Sequence, residues 1–101
     1  MEERMITALL VAKVLVADGI MADTEKARLL QIMEELRLDV AESEQVLLLD
    51  GMDAAVEAAR GLPAETRAAL MDRLAEVALV DGRLSPHELR EIQELAAALD
   101  V

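Results

Sequence analysis

An eight-residue pattern occurs twice in this chain, and the duplication constrains the fold more than any other feature. Asp18-Gly19-Ile20-Met21-Ala22-Asp23-Thr24-Glu25 returns as Asp81-Gly82-Arg83-Leu84-Ser85-Pro86-His87-Glu88. In both copies Asp-Gly closes an apolar run and a Glu stands seven residues after the Asp. The match extends outward. Val11, Val14 and Leu15 align with Leu74, Val77 and Ala78, while Leu29, Ile32, Met33 and Leu36 align with Ile92, Leu95, Ala96 and Leu99. Apolar residues three and four apart on either side of a glycine break predict helix-loop-helix hairpins. The expected plan is all-α: a single domain over residues 1–101, a bundle of about six helices. Two pseudo-repeated hairpins at about 5–40 and 64–101 are joined by short helices over about 41–60.

The first helix, expected over 2–17, has almost no polar side, because only Thr7 and Lys13 interrupt Met5 to Ala17. Such a helix is buried nearly all round. The next, about 23–37, carries Leu29, Ile32, Met33 and Leu36 on one face with Arg28, Gln31, Glu34 and Glu35 off it, and so covers the bundle. Asp39 and Glu42 form a plausible cap pair ahead of Val46-Leu47-Leu48-Leu49, and a second short helix runs from Met52 to Ala59. Pro63 suits the start of a long helix reaching Val80, apolar through its second half and therefore expected beside the first at the centre. Ser85, Pro86 and Glu88 form the strongest start signal, with Leu84 and Leu89 placed as a hydrophobic staple for a helix over about 86–98. The chain has no Phe, Tyr or Trp, so Leu, Ile, Val, Met and Ala must fill the core. Small side chains let helices pack closely.

Charge narrows the possible partners. Twenty-one acidic residues against ten basic give a net charge of −11, which repels phosphate backbones and anionic lipid, so nucleic-acid binding is not expected. There is no cysteine, which removes disulfides, thiolate chemistry and cysteine zinc sites. Glu2-Glu3-Arg4 has the wrong sign for a signal-peptide start, and Met5 to Ala17 is too short to span a bilayer. A cytoplasmic protein without membrane insertion is expected.

The repeated loop supports two readings. The spacing Asp-Gly-x-Met/Leu-x-x-x-Glu matches the second half of a calcium-binding EF-hand loop. However, the positions that should supply oxygen ligands before the Asp are Val14 and Val16 in one copy and Val77 and Leu79 in the other, which argues against a calcium sensor. Capping alone accounts for the spacing, with Asp ending one helix, Gly turning left-handed, and Glu capping the next. The alternative is a divalent-cation site (calcium, magnesium or zinc) built from Asp18, Glu25, Asp81 and Glu88, which requires the loops to meet or water to complete each shell.

These two Asp-Gly-x-x-x-x-x-Glu units, set after Ala/Val-rich apolar helices and followed by Leu-rich endings, resemble the tellurite-resistance TerB-like family over about Met5 to Val101. The resemblance implies a small all-helical domain. Members occur alone or joined to modules such as membrane-anchored J-domain co-chaperones, in chemical-stress and metal-resistance systems, with acidic surfaces proposed to bind metal ions or partners. It points again to Asp18, Glu25, Asp81 and Glu88. Ala22 stands where Ser85 supplies the second cap, so the two loops are not equivalent.

Other candidate residues carry less. His87 is the only histidine and Ser85 its only nearby nucleophile, and a helix start already occupies both. The six methionines form no tight sequence cluster and read as gap fillers. The middle segment is more informative. Glu34, Glu35, Asp39, Glu42, Glu44, Asp50, Asp53 and Glu57 face the single base Arg37, and Val46 to Leu49 cannot all point inward from one short helix. Val46, Leu47, Leu48, Leu49, Glu42 and Glu44 are therefore the expected interface. The expected function is a non-enzymatic, TerB-like interaction module that binds a protein partner or self-associates as a homo-oligomer in a stress-response context. The alternative is a divalent-metal-binding protein.

Overall fold

The computed structural model describes residues 1–16, 23–78 and 86–100. Six helices run through them: α1 (Glu3–Leu15), α2 (Asp23–Glu35), α3 (Val40–Leu47), α4 (Met52–Arg60), α5 (Ala64–Ala78) and α6 (Pro86–Ala98). No strand occurs among the described residues, so the fold is all-α with the expected order of long, long, short, short, long, long.

α1 is the axis of the bundle and packs against all five other helices. Met5 to Ala12, Val14 and Leu15 are buried, which is what a helix apolar on every side must achieve. The two polar residues that interrupt its apolar run are satisfied in place. The Thr7 hydroxyl donates to the Glu3 carbonyl at 3.0 Å, and Lys13 pairs with Glu91 of α6 at 3.4 Å. Fully burying a leucine such as Leu9, Leu10 or Leu15 stabilises the fold by roughly 1.5–3 kcal/mol.

α2 lays Leu29, Ile32 and Met33 against α1, as its stripe predicts. The structure departs from the expected layering at two helices. α5 is amphipathic and does not share the centre: Leu70, Met71, Leu74 and Val77 face inward while Ala64, Glu65, Ala68, Ala69, Asp72 and Glu76 are exposed. α4, expected as a connector, makes the most extensive contact with α1. Its buried residues are Ala55 and Ala59, one turn apart, whose small side chains permit close approach of the two helices.

Two arginines tie helix ends together in the same way. Arg4 donates to the carbonyls of Leu36 (3.5 Å) and Arg37 (3.0 Å) at the end of α2, and Arg67 donates to the Leu99 carbonyl (2.6 Å) at the end of α6. Arg4 and Arg67, like Leu36 and Leu99, are separated by the offset that relates Asp18 to Asp81. A cation at a helix C-terminus satisfies carbonyls left without an intrahelical partner. No helix among the described residues is long and apolar enough to cross a membrane.

Candidate docking surface

Three of the eight residues of each repeated loop fall within the described residues. Glu25 and Glu88 lie in the first turns of α2 and α6, both half-buried, while Asp18, Asp81 and Ser85 lie outside the described residues. Among the described residues, no group of three or more His, Cys, Asp or Glu side chains is placed to hold a metal ion. His87 is exposed at the start of α6.

The middle segment is described throughout, and its geometry begins at the corner between α2 and α3. Asp39 and Glu42 form a complete capping box. Asp39 Oδ1 accepts the Glu42 N–H at 2.8 Å, and Glu42 Oε1 accepts the Asp39 N–H at 3.0 Å. Arg4 joins the corner from α1, donating to Glu42 Oε2 at 3.1 Å and to Glu2 Oε2 at 2.6 Å. The hydrogen bond that Arg4 donates to Glu2, with the nearby negative charges of Glu2, Glu42 and Asp39, raises the Arg4 guanidinium above its already high value. This network fixes how α3 leaves α2 and therefore where α3 ends.

The end of α3 presents leucines to solvent. Val46 is fully buried and belongs to the core packed on α1, which removes it from the expected interface. Its inward position forces the next residues out: Leu47, Leu48 and Leu49 are 43%, 77% and 37% exposed. Leu49 has φ 57° and terminates the helix in a Schellman turn, with Leu49 N–H donating to the Val46 carbonyl and Asp50 N–H to the Gln45 carbonyl, each at 3.0 Å. The Gln45 side chain donates to the Asp50 carbonyl at 3.1 Å, and Gly51 (φ 89°) starts α4. Val40, 77% exposed at the other end of α3, was not legible in the sequence because, beside the Asp39 cap, it read as part of the turn and not as a residue two helical turns from Leu47.

The acidic residues around this ridge divide into two groups. Glu42 is held in the corner, Glu35 pairs with Arg73 at 3.3 Å, and Glu57 pairs with Arg60 at 3.4 Å. Glu44, Asp50 and Asp53 are exposed, and their carboxylates form no ion pair or hydrogen bond among the described residues. The surface thus joins exposed leucines to uncompensated negative charge. Two clefts, the second of which reaches Asp53, offer less. One of 590 Å³ between α1 and α5 mixes Leu36, Leu62 and Leu70 with charges of both signs, and one of 360 Å³ near Lys13 is lined by Asp53, Glu57, Glu91 and Glu94. Among the described residues, no histidine, serine or cysteine lines either cleft.

Comparison with family models matches residues 4–101 to the family described as "Tellurite resistance protein TerB". Comparison with curated proteins and with solved structures gave no match.

Proposed function

The chain belongs to the TerB family, and from that premise we propose that it is a non-enzymatic helical interaction module of the cytoplasm. It binds a protein partner, or a second copy of itself, in a stress-response context. The observation that carries the reading is the exposure of Leu47, Leu48 and Leu49 in succession, where most large apolar side chains among the described residues are covered. An exposed apolar cluster rimmed by polar groups is a common mark of an interaction site. The family's association with chemical-stress and metal-resistance systems supports the context.

The test places a photo-cross-linking residue at Leu48, and at the exposed Ala68 of α5 as a control, with native mass spectrometry of the same protein before and after adding calcium, magnesium or zinc. Adducts formed from position 48 and not from 68, whether to this chain or another, are expected. Equal adducts from both positions, or none from 48, would reject the ridge. A stoichiometric metal mass gain lost in Glu25→Gln or Glu88→Gln would replace the reading with the divalent-metal alternative at Asp18, Glu25, Asp81 and Glu88.

A further inference from the structure

We infer that the Leu47–Leu49 ridge receives a basic amphipathic helix from another protein, and not a second copy of this chain. The inference rests on the reading of the ridge as a docking surface and specifies its occupant.

Charge selects the partner. A two-fold self-interface sets the same patch against itself. It would bring Glu44, Asp50 and Asp53 of one copy against those of the other, on chains that each carry −11. These carboxylates lack cations among the described residues, and at contact distance physiological salt screens their repulsion only in part. A partner bearing Lys or Arg beside its apolar face reverses the sign of every one of these interactions. Anionic lipid is disfavoured by the same charge.

Shape selects a helix. No strand edge exists among the described residues to extend with an incoming strand. Val40 and Leu47, seven residues apart on α3, lie about 10 Å apart along the helix axis at 1.5 Å per residue, and Leu48 and Leu49 continue past its end. Anchors at i, i+3/i+4 and i+7 of an incoming helix cover the same length.

Leu48, 77% exposed, offers the most free surface of the three leucines, and Leu49, 37% exposed, flanks it. The left-handed backbone of Leu49 is the position that glycine fills at most helix ends of this kind, and a leucine there is disfavoured by local conformation. The fold covers most of this side chain and leaves its remaining apolar surface beside Leu48. Because glycine suits that backbone, Leu49→Gly removes the anchor while leaving the turn intact.

The experiment titrates the isotope-labelled full chain with a Leu/Lys amphipathic peptide of about 15 residues, with its Leu/Glu counterpart, and with a Lys/Ser peptide lacking an apolar face. Amide shifts and native mass spectrometry are followed together. Expected are shifts concentrated at Leu47 to Asp53 with the Leu/Lys peptide alone. Affinity should fall about tenfold in Leu49→Gly and in Leu48→Ser, the effect of losing one partly buried leucine, and should fall again when salt rises from about 0.05 M to about 0.5 M. Equal binding by the Lys/Ser peptide, or affinity unchanged in both variants, would overturn the inference. A dimer of the unmodified chain that dissociates in Leu48→Ser would also overturn it, while leaving the ridge a docking surface. Absence of both ridge-dependent dimer and ridge-dependent peptide binding would remove the docking surface as well.

Discussion

Arg37, Leu49 and Asp100 all have φ between 56° and 57°, each one residue past a helix cap, and none is glycine. At Arg37 the Schellman bonds are complete, from Arg37 N–H to the Glu34 carbonyl (3.0 Å) and from Leu38 N–H to the Met33 carbonyl (3.2 Å). The Arg37 side chain is exposed and makes no bond among the described residues, so only its backbone matters there. We predict that Arg37→Gly stabilises the protein by about 1 kcal/mol by relieving the left-handed penalty. Thermal unfolding should then shift upward by several degrees, and a downward shift would show that the side chain has a structural role. Gly51 gives the opposite sign. A Cβ at φ 89° would meet Gln45 Nε2 at 3.0 Å, the same amide that holds the Asp50 carbonyl. Gly51→Ala is predicted to cost about 1–2 kcal/mol, read as a lower denaturant midpoint with unchanged slope. Leu49→Gly should fall between these, within about 1 kcal/mol of the parent, because the relief of backbone conformation offsets the loss of a partly buried side chain.

At the scale of helices, the paired arginines show how the two hairpins are closed. Arg67 reaches from α5 to the last carbonyl of α6, and Arg4 from α1 to the end of α2, so each bond joins the first helix of a hairpin to the end of its second. Arg67→Met is predicted to lower stability by about 1–2 kcal/mol and to speed amide exchange at Leu99 and Asp100, since a charged donor to a backbone carbonyl is lost. Exchange no faster than in the parent would show that α6 ends without this bond. These clamps were not legible, because an arginine near a helix start reads as solvated until its distant partner is known. The Asp39–Glu42 capping box was legible, because both partners lie within one turn. The burial of α1 was also legible, since a helix with no polar side has no alternative. The layering of α5 and α4 was not. The run Leu70, Leu74, Val77 and Ala78 made the second half of α5 look apolar throughout, but Asp72 and Glu76 stand between these residues and give the helix a solvent face. Buried alanines such as Ala55 and Ala59 contribute through close approach to α1 more than through area, which made α4 look incidental. For the same reason the run Val46 to Leu49 announced an exposed apolar segment, but only contact with α1 selected Val46 as the inward residue.

Across the whole molecule, one charge imbalance acts on both folding and binding. The fold gathers a net charge of −11 within a radius of gyration of 12.4 Å, whereas the unfolded chain spreads the same charge over a larger volume. Ion pairs such as Arg90–Glu94 and Arg60–Glu57 are largely exposed and recover little of that repulsion. Screening should therefore favour the folded state. We predict that raising sodium chloride from about 0.05 M to about 0.5 M at neutral pH increases the unfolding temperature by several degrees, since about 1 kcal/mol corresponds to about 4–8 °C in a domain of this size. Far-ultraviolet circular dichroism is the suitable observable, because the chain has no Trp or Tyr to report by fluorescence. An unchanged or falling unfolding temperature would mean that local ion pairs outweigh the net repulsion. The same increase in salt must weaken the Leu/Lys peptide complex, since there the carboxylates attract and do not repel. Stability and affinity should thus move in opposite directions along one salt series, a result that general destabilisation of the protein by salt could not produce.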